Sequence, residues 1–400
     1  MTMAPDVREI VPPAQRGRLH QGPASATVLP AAADYAELPT PVLTVDTQVV
    51  QRLHGALRSA LPGVDLHYAV KANPSTAVLA TLAARGAQWD VASPGEIDAV
   101  LDVDPDPRHL SYGNTAKKAA DIAYATSVGV RRFSFDCEGE LDKLARHAPG
   151  ATLMVRITTS GSGADWALGS KFGCSEREAA RLMARAAALG HPVGVCFHVG
   201  SQQRDVRAWE EPLAATKRLR ASLRRFGTDL AIVDLGGGFP GTAAVPTPHI
   251  DDFGVGILGA VRRHLGPNPP PLMAEPGRFL VADAGVLETE VVLVAERDGM
   301  RWVHLDVGLF SGLAETMGEA LRYRITAHRD GGILGGPQDE AVLAGPTCDS
   351  VDVLYVRHRP SLPTALRPGD RLRLHGTGAY TTTYSSVGFN GFAPLREHTR

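Results

Sequence analysis

Lys71 is the residue of this chain that is best placed to take part in a reaction, because it lies near the end of a short apolar stretch, residues 65–72. A lysine at the inner end of a buried strand is costly unless its charge is paired or removed. A neutral lysine amine can form a Schiff base with a carbonyl group, and burial lowers the pKa of the amine and so favours that form. The alternative is a lysine at a strand edge whose amine reaches water. This stretch alone leaves both interpretations open.

A run of three glycines, residues 236–238, follows another apolar stretch. Without side chains, their backbone N–H groups can approach an anion closely. Gly277 and Arg278, which follow a later apolar stretch, can complete the same phosphate site. The alternative is a tight turn, which glycine also favours.

Glu275 and His198 also follow apolar stretches and have side chains suited to a flat aromatic cofactor. A carboxylate that faces a pyridine nitrogen keeps the nitrogen protonated, and the protonated ring is a better electron sink. His198 can stack on such a ring, and the Ser201 hydroxyl can bind phosphate. The alternatives are a salt bridge between Glu275 and Arg278 and a histidine that belongs to the core.

Cys348 and Asp349 are adjacent in a probable loop. A thiol can donate a proton, and a neighbouring carboxylate can bind an ammonium group. The alternative is that Cys348 only contributes to packing. Tyr380 begins a polar and aromatic run near the C-terminus, and its hydroxyl can reach a phosphate.

The elements that must position these residues are eight apolar stretches that alternate with amphipathic ones. Strands alternating with helices predict parallel βαβ units, and eight of them predict a (β/α)8 TIM-like barrel. In such barrels the chemistry lies at the C-terminal ends of the strands, where most of the candidate residues fall. The predicted strands are residues 65–72, 87–92, 109–112, 132–136, 152–157, 193–199, 230–235 and 271–275.

After residue 281 the helical periodicity gives way to short alternating stretches, which predict a mostly antiparallel β-sandwich or barrel domain. A strand within residues 34–46 is expected to join it. The predicted strands are residues 288–295, 302–307, 323–328, 340–344, 352–356 and 371–374. The predicted organisation is therefore a disordered tail over residues 1–33, a barrel over 40–280 and a β domain over 281–400.

Composition excludes several classes of function. The chain has 400 residues and a formal net charge of -2, so no overall field favours nucleic acid, and no apolar run is long enough to cross a membrane. Residues 1–33 lack the pattern of a signal peptide. The four cysteines lie far apart without a CxxC pair, so neither a metal site nor a disulfide framework is predicted. A reducing cytoplasm is the expected location.

Seven segments in order, from about residue 40 to 394, resemble the pyridoxal-phosphate decarboxylases of ornithine and related basic amino acids. These are the alanine-racemase-like barrel enzymes of fold type III. Within that family, GPTCDS and LDVGLFSGLAET are similar to bacterial ornithine or lysine/ornithine decarboxylases. The seven segments are HYAVKANP, DVASPGEI, FHVGSQ, DLGGGFP, EPGR, GPTCDS and GAYTTTYSSVGFNGF.

The resemblance implies a bound pyridoxal 5'-phosphate and a role for each matching residue. Lys71 forms the aldimine with the cofactor, and Cys348 protonates the carbon of the quinonoid intermediate after carbon dioxide leaves. His198 stacks on the ring and Glu275 pairs with its nitrogen. The other residues implied to hold the cofactor are Asp90, Arg156, Ser201, Gly237, Gly238, Gly277, Arg278 and Tyr380.

The resemblance also implies a homodimer in which Cys348 and Asp349 of one subunit reach Lys71 of the other. Asp349 binds the distal ammonium of the substrate, and Glu319 and Phe310 are expected to line the same pocket. Relatives commonly carry an acid where this chain has Gly318, so this chain differs from them at the distal end of the substrate pocket.

The expected reaction is decarboxylation of L-ornithine to putrescine, of L-lysine to cadaverine, or of both. Diaminopimelate, arginine, a D-amino acid or a modified amino acid of a specialised pathway remain alternatives. A racemase of the same fold usually places arginine against the ring nitrogen, so Glu275 argues against it. A non-catalytic regulatory homologue usually loses the cofactor lysine or the phosphate groups, whereas this chain keeps Lys71 and Arg278.

Overall fold

The computed structural model describes residues 38–166 and 171–400. The predicted disordered tail, residues 1–33, lies outside the described residues. Within the described residues, no helix is both long and apolar enough to cross a membrane.

Eight parallel strands close into a barrel in the order β10-β11-β2-β3-β4-β5-β6-β8. Each overlaps one predicted strand, and the predicted barrel is confirmed. The predicted strands run one to three residues too far at the C-terminal end in most cases, because the chain turns at the barrel mouth while its sequence stays apolar. The barrel strands are β2 (Val64–Ala69), β3 (Gln88–Val91), β4 (Leu110–Tyr112), β5 (Arg132–Phe135), β6 (Thr152–Arg156), β8 (Val193–Cys196), β10 (Ile232–Asp234) and β11 (Leu272–Ala274).

Helices connect the barrel strands and bury their apolar faces. The helix Thr47–Ala60 begins where the Asp46 carboxylate accepts the backbone N–H groups of residues 48 and 49, and it buries Val50 and Leu57. Ser93 and Ser175 cap two further helices in the same way. The helices are α1 (Thr47–Ala60), α2 (Thr76–Ala83), α3 (Pro94–Leu101), α4 (Ala119–Ser127), α5 (Glu138–His147), α6 (Glu176–Ala188), α7 (Glu210–Arg224), α8 (Ile250–Leu265) and α9 (Arg278–Val281).

A nine-stranded, mostly antiparallel sheet forms the second part of the fold. Its main path is β15-β14-β20-β12-β13-β17-β18, and β1 pairs with both β12 and β21. The sheet therefore takes strands from both sides of the barrel sequence, while the predicted boundary near residue 280 stays a prediction. Its strands are β1 (Val42–Val45), β12 (Gly285–Arg297), β13 (Met300–Leu305), β14 (Arg324–Arg329), β15 (Gly332–Ile333), β17 (Val342–Ala344), β18 (Val353–Tyr355), β20 (Arg371–His375) and β21 (Arg396–Thr399).

Two small antiparallel pairs complete the strands. One joins β7 (Ala164–Trp166) to β9 (Ser201–Gln203) beside the barrel mouth. The other joins β16 (Gln338–Glu340) to β19 (Ser361–Pro363) at the edge of the second part.

Candidate active site

Lys71 lies on a 3-10 turn, Val70–Ala72, that directly follows β2. Its Nζ donates to Oδ2 of Asp90 at 3.2 Å, and the side chains are 50% and 2% exposed, respectively. The Asp90 carboxylate raises the pKa of Lys71, since it stabilises the ammonium form more than burial destabilises it. Burial lowers this pKa, as expected, but the ion pair with Asp90, which a sequence pattern does not show, outweighs that effect and the net pKa is raised.

The turn that carries Lys71 is held by groups distant in sequence. Asn73 is 1% exposed, and its Nδ2 donates to the carbonyl of Gly378 at 3.1 Å and to Oε2 of Glu397 at 2.9 Å. The backbone N–H of Tyr380 donates to the carbonyl of Ala72 at 2.8 Å. Sequence reasoning missed Asn73 and Glu397 as supports, because nothing local in either segment indicates their contact.

Three carboxylates meet at the mouth of the barrel beside Lys71. Each of Asp90, Asp234 and Glu275 keeps one buried oxygen that has no hydrogen-bond partner among the described residues. Burial raises the pKa of both Asp234 and Glu275, and the Asp90 carboxylate adds to both effects. Asp234 also raises the pKa of Glu275, whereas Glu275 lowers that of Asp234. A protonated ring nitrogen beside Glu275 would satisfy such an oxygen.

Arg278 begins α9 and pairs with Glu315, and the structure shows no salt bridge between Arg278 and Glu275. Its Nη1 and Nη2 lie 2.8 and 2.5 Å from the Glu315 carboxylate oxygens, and Nη2 also donates to Ser201 Oγ at 3.2 Å. The salt bridge considered as an alternative for Glu275 is therefore wrong. Glu315 comes from the second part of the fold, and its sequence context gave no signal of this role.

The glycine run after β10 packs so closely that larger residues cannot replace it. Gly236 has φ +68°, and a Cβ there would lie 1.9 Å from the carbonyl oxygen of Phe197. The backbone N–H groups of Gly237 and Gly238 find no acceptor within the described part of the chain. A Cβ on Gly277 would lie 2.9 Å from the Tyr380 hydroxyl. This cradle, with Arg278 and Ser201 beside it, suits a phosphate.

His198 follows β8 and presents a neutral imidazole. Its Nδ1 accepts the backbone N–H of Gly200 at 3.1 Å, which places the ring proton on Nε2. Burial, together with the charges of Arg156 and Lys71, lowers the pKa of His198 to about 3. Arg156 ends β6, and its guanidinium carbon lies 5.4 Å from the centre of the Phe172 ring.

The other predicted substrate residues lie on loops of the second part. Cys348 is exposed, and its Sγ lies 3.5 Å from Oδ1 of Asn390. Asp349 Oδ1 accepts the backbone N–H of Val351 at 3.0 Å. Among the described residues, no contact joins either side chain to Lys71. A single chain thus brings the cofactor residues together but not these two.

Glu319, Gly318 and Phe310 shape the neighbouring surface. The Glu319 carboxylate accepts the backbone N–H groups of residues 356, 357 and 358, so its role as a substrate ligand stays a prediction. Gly318 has φ +63°, and a Cβ there would meet no atom within 4 Å. The Phe310 ring centre lies 4.7 Å from that of Phe389. A side chain at position 318 would therefore meet no clash, although the positive φ favours glycine.

The residues present fit pyridoxal 5'-phosphate. The site holds a lysine for the aldehyde, a carboxylate for the ring nitrogen, a neutral imidazole for stacking and a glycine cradle with an arginine for the phosphate. The unpartnered buried oxygen of Glu275 and the unpartnered N–H groups of Gly237 and Gly238 are the places where such a cofactor would bind.

Comparison with known proteins agrees with this geometry. Residues 47–282 match the family model described as pyridoxal-dependent decarboxylase, pyridoxal binding domain. The lysine/ornithine decarboxylase of Selenomonas ruminantium is 33% identical over 361 residues, which cover 89% of this chain and 88% of that protein. Antizyme inhibitor 2 of Xenopus laevis is 33% identical over 363 residues, covering 87% of this chain and 78% of that protein.

A solved structure is similar over almost its whole length. The lysine/ornithine decarboxylase of Vibrio vulnificus, complexed with putrescine, has a TM-score of 0.82 and 31% identity, covering 93% of this chain and 99% of that chain. The resemblance, the fold and the cofactor predicted from the sequence are confirmed.

Proposed function

This chain belongs to the pyridoxal-dependent decarboxylases, and we propose that its substrate is L-ornithine or L-lysine, giving putrescine or cadaverine. The observation that carries the proposal is the pairing of Lys71 with Asp90 next to the buried oxygen of Glu275. The names of the two lysine/ornithine decarboxylases described above support the choice of substrate.

Bound pyridoxal phosphate supplies a ring that takes up the electron pair left when the carboxyl group departs. Lys71 would hold the cofactor through its Nζ, which Asp90 keeps in place. Glu275 would keep a proton at the ring nitrogen, and His198 would stack on the ring. Arg278 anchors the phosphate, together with Ser201, Gly237, Gly238, Gly277 and Tyr380, while Arg156 supports the cofactor from β6.

Asp349 binds the distal ammonium of the substrate, and Cys348 protonates the substrate carbon. Leaving an ammonium or a carboxylate buried without a partner costs several kcal/mol, about 3 to 5, so Asp349 selects diamino acids over apolar ones. Diaminopimelate, arginine, a D-amino acid or a modified amino acid are the alternative substrates, since this chain has Gly318 where relatives commonly carry an acid.

We further propose that the enzyme is a homodimer with shared sites. Cys348 and Asp349 of one subunit then lie against Lys71 of the other, and the monomer is inactive. Large apolar side chains near these loops are exposed in the single chain, including Val351 at 57% and Val387 at 87%. A dimer interface would cover them. The four cysteines are free thiols, which supports a cytoplasmic location.

The direct test is carbon dioxide release, with cofactor added, from L- and D-ornithine, L- and D-lysine, arginine and meso-diaminopimelate. Preference for L-ornithine or L-lysine supports the proposal. If protein that shows the absorbance of lysine-bound cofactor releases carbon dioxide from none of them, the proposed substrate is wrong and a modified amino acid takes its place.

The role of Lys71 has its own test. Lys71→Ala should abolish both the visible absorbance of lysine-bound cofactor and decarboxylation. Lys217→Ala, which changes an exposed lysine on α7, is the control and should retain both. Activity retained by Lys71→Ala would refute the assignment.

The shared site is tested by mixing variants. Lys71→Ala and Cys348→Ala homodimers should both be inactive, and exchange of subunits should form hybrids with one complete site. About a quarter of the wild-type activity is the statistical expectation for random exchange, because half of the dimers are hybrids and each has one of two sites intact. Failure to recover activity after proven exchange would exclude the shared site.

A further inference from the structure

Asp352 is a buried carboxylate that the reaction described above does not use. It is 2% exposed and lies directly before β18. Its Oδ1 accepts the backbone N–H of Leu309 at 2.8 Å. Its Oδ2 accepts the backbone N–H and the hydroxyl of Thr347 at 3.1 and 2.7 Å. Its hydrogen bonds therefore reach two separate loops.

Both loops approach Asp352 through glycine. A Cβ on Gly308 would lie 2.1 Å from Oδ1 of Asp352, and one on Gly345 would lie 2.2 Å from the same oxygen. Real Cβ atoms do not come so close, so the two backbones pack directly against the carboxylate. The backbone N–H of Gly345 also donates to the carbonyl of Asp352 at 2.8 Å.

These loops carry the residues assigned to the substrate. The first follows β13 and contains Phe310, and the second follows β17 and contains Cys348 and Asp349. Neither loop is a regular strand or helix at these positions, so no ladder of backbone hydrogen bonds fixes the distance between them. The hydrogen bonds of the Asp352 side chain fix that distance instead.

We propose that Asp352 is a positioning residue that fixes the loop of Cys348 and Asp349 relative to the loop of Phe310. The inference rests on the proposed function, since it assigns Asp352 to the substrate side of the site. Asp352 acts through its neighbours and touches neither substrate nor cofactor. Its loss should impair turnover and substrate binding while leaving the cofactor on Lys71 undisturbed.

The first test is Asp352→Asn. The amide keeps only one acceptor oxygen, so it cannot accept from both loops as the carboxylate does. We expect kcat/KM for the preferred substrate to fall about 10- to 100-fold, the range for losing a hydrogen bond to a charged group. Cofactor content and absorbance should equal those of the wild type. Loss of cofactor in parallel with activity, or unchanged kcat/KM, would overturn the inference.

A matched control is Asp370→Asn. Asp370 is also buried, at 3% exposure, and it binds Arg329 and the backbone N–H of Arg367, neither of which belongs to the two loops. It should lower Tm without lowering kcat/KM per folded subunit. If Asp352→Asn does not fold, Thr347→Val removes a single hydroxyl bond and should give a smaller fall in the same direction.

Hybrid dimers separate the inference from the proposed function. Asp352→Asn mixed with Lys71→Ala should gain activity, because one site then has an intact lysine and intact loops. Asp352→Asn mixed with Cys348→Ala should gain no activity beyond that of its parents. Both changes affect the loops that a subunit contributes to its partner's site, so neither site of the hybrid has intact loops. Gain in the second mixture would overturn the inference. Failure of Lys71→Ala to complement Cys348→Ala would refute the shared site, and the homodimer kinetics would then decide on Asp352.

Discussion

Replacing Asp90 by asparagine is expected to lower the pKa of Lys71 in the cofactor-free protein. The carboxylate raises that pKa by stabilising the ammonium 3.2 Å away. Because the lysine is 50% exposed, solvent screens the pair and a high effective dielectric applies. At an effective dielectric of about 40 to 80 the attraction is about 1.3 to 2.6 kcal/mol, which corresponds to about one to two pKa units.

The pKa of Lys71 can be measured by trace acetylation of the apoprotein across a range of pH, with the labelled peptide quantified by mass spectrometry. The midpoint for Lys71 should move down in Asp90→Asn. Asp106→Asn, which removes a partly exposed carboxylate paired with Arg108, is the control and should leave the midpoint unchanged. A midpoint that stays or rises in Asp90→Asn would refute the electrostatic reasoning.

Two further predictions concern the frame of the site and its stability. Gly63→Ala, at φ +81° with no atom near its Cβ, should lower the free energy of unfolding by about 1 to 2 kcal/mol. Gly236→Ala should lower it by more and weaken cofactor binding, because its Cβ would clash with Phe197. Equal losses of stability in thermal unfolding scans would contradict the proposed clash. Burial lowers the pKa of His328 and His375 to about 4, below the usual 6.5, so the unfolded chain binds more protons at pH 5 and stability should be full above about pH 6.5 and fall towards pH 4. His375→Gln should flatten this dependence of Tm on pH, and an unchanged slope would argue against it.

The barrel could be predicted from the sequence because its strands are continuous apolar runs of characteristic length between amphipathic helices. The ends of those runs were less predictable. The stretch that ends at Lys71 leaves the sheet after Ala69 and turns, although Val70 and Ala72 remain buried. A hydrophobicity pattern records burial but not the change from strand to turn.

The candidate cofactor residues could be grouped from the sequence because most of them lie at or just after the end of a strand, and strand ends converge in a closed barrel. Partners from distant segments could not be located. Glu275 and Arg278 are three positions apart and suggested a pair, yet Arg278 binds Glu315. Strand β21 was missed because it pairs with β1, more than 350 residues away, and no local signal specifies such a partner.

The pairing of β1 with β21 makes the lysine turn dependent on a segment that is synthesised long after the turn itself. Glu397, in β21, completes the set of groups that hold Asn73, two residues after Lys71. The barrel strands can associate as soon as residues 64–274 are available, but this support arrives only with residue 397. A chain stopped before residue 397 would form a barrel in which the turn that carries Lys71 lacks one of its supports, so the site is completely assembled only after β21 has been made.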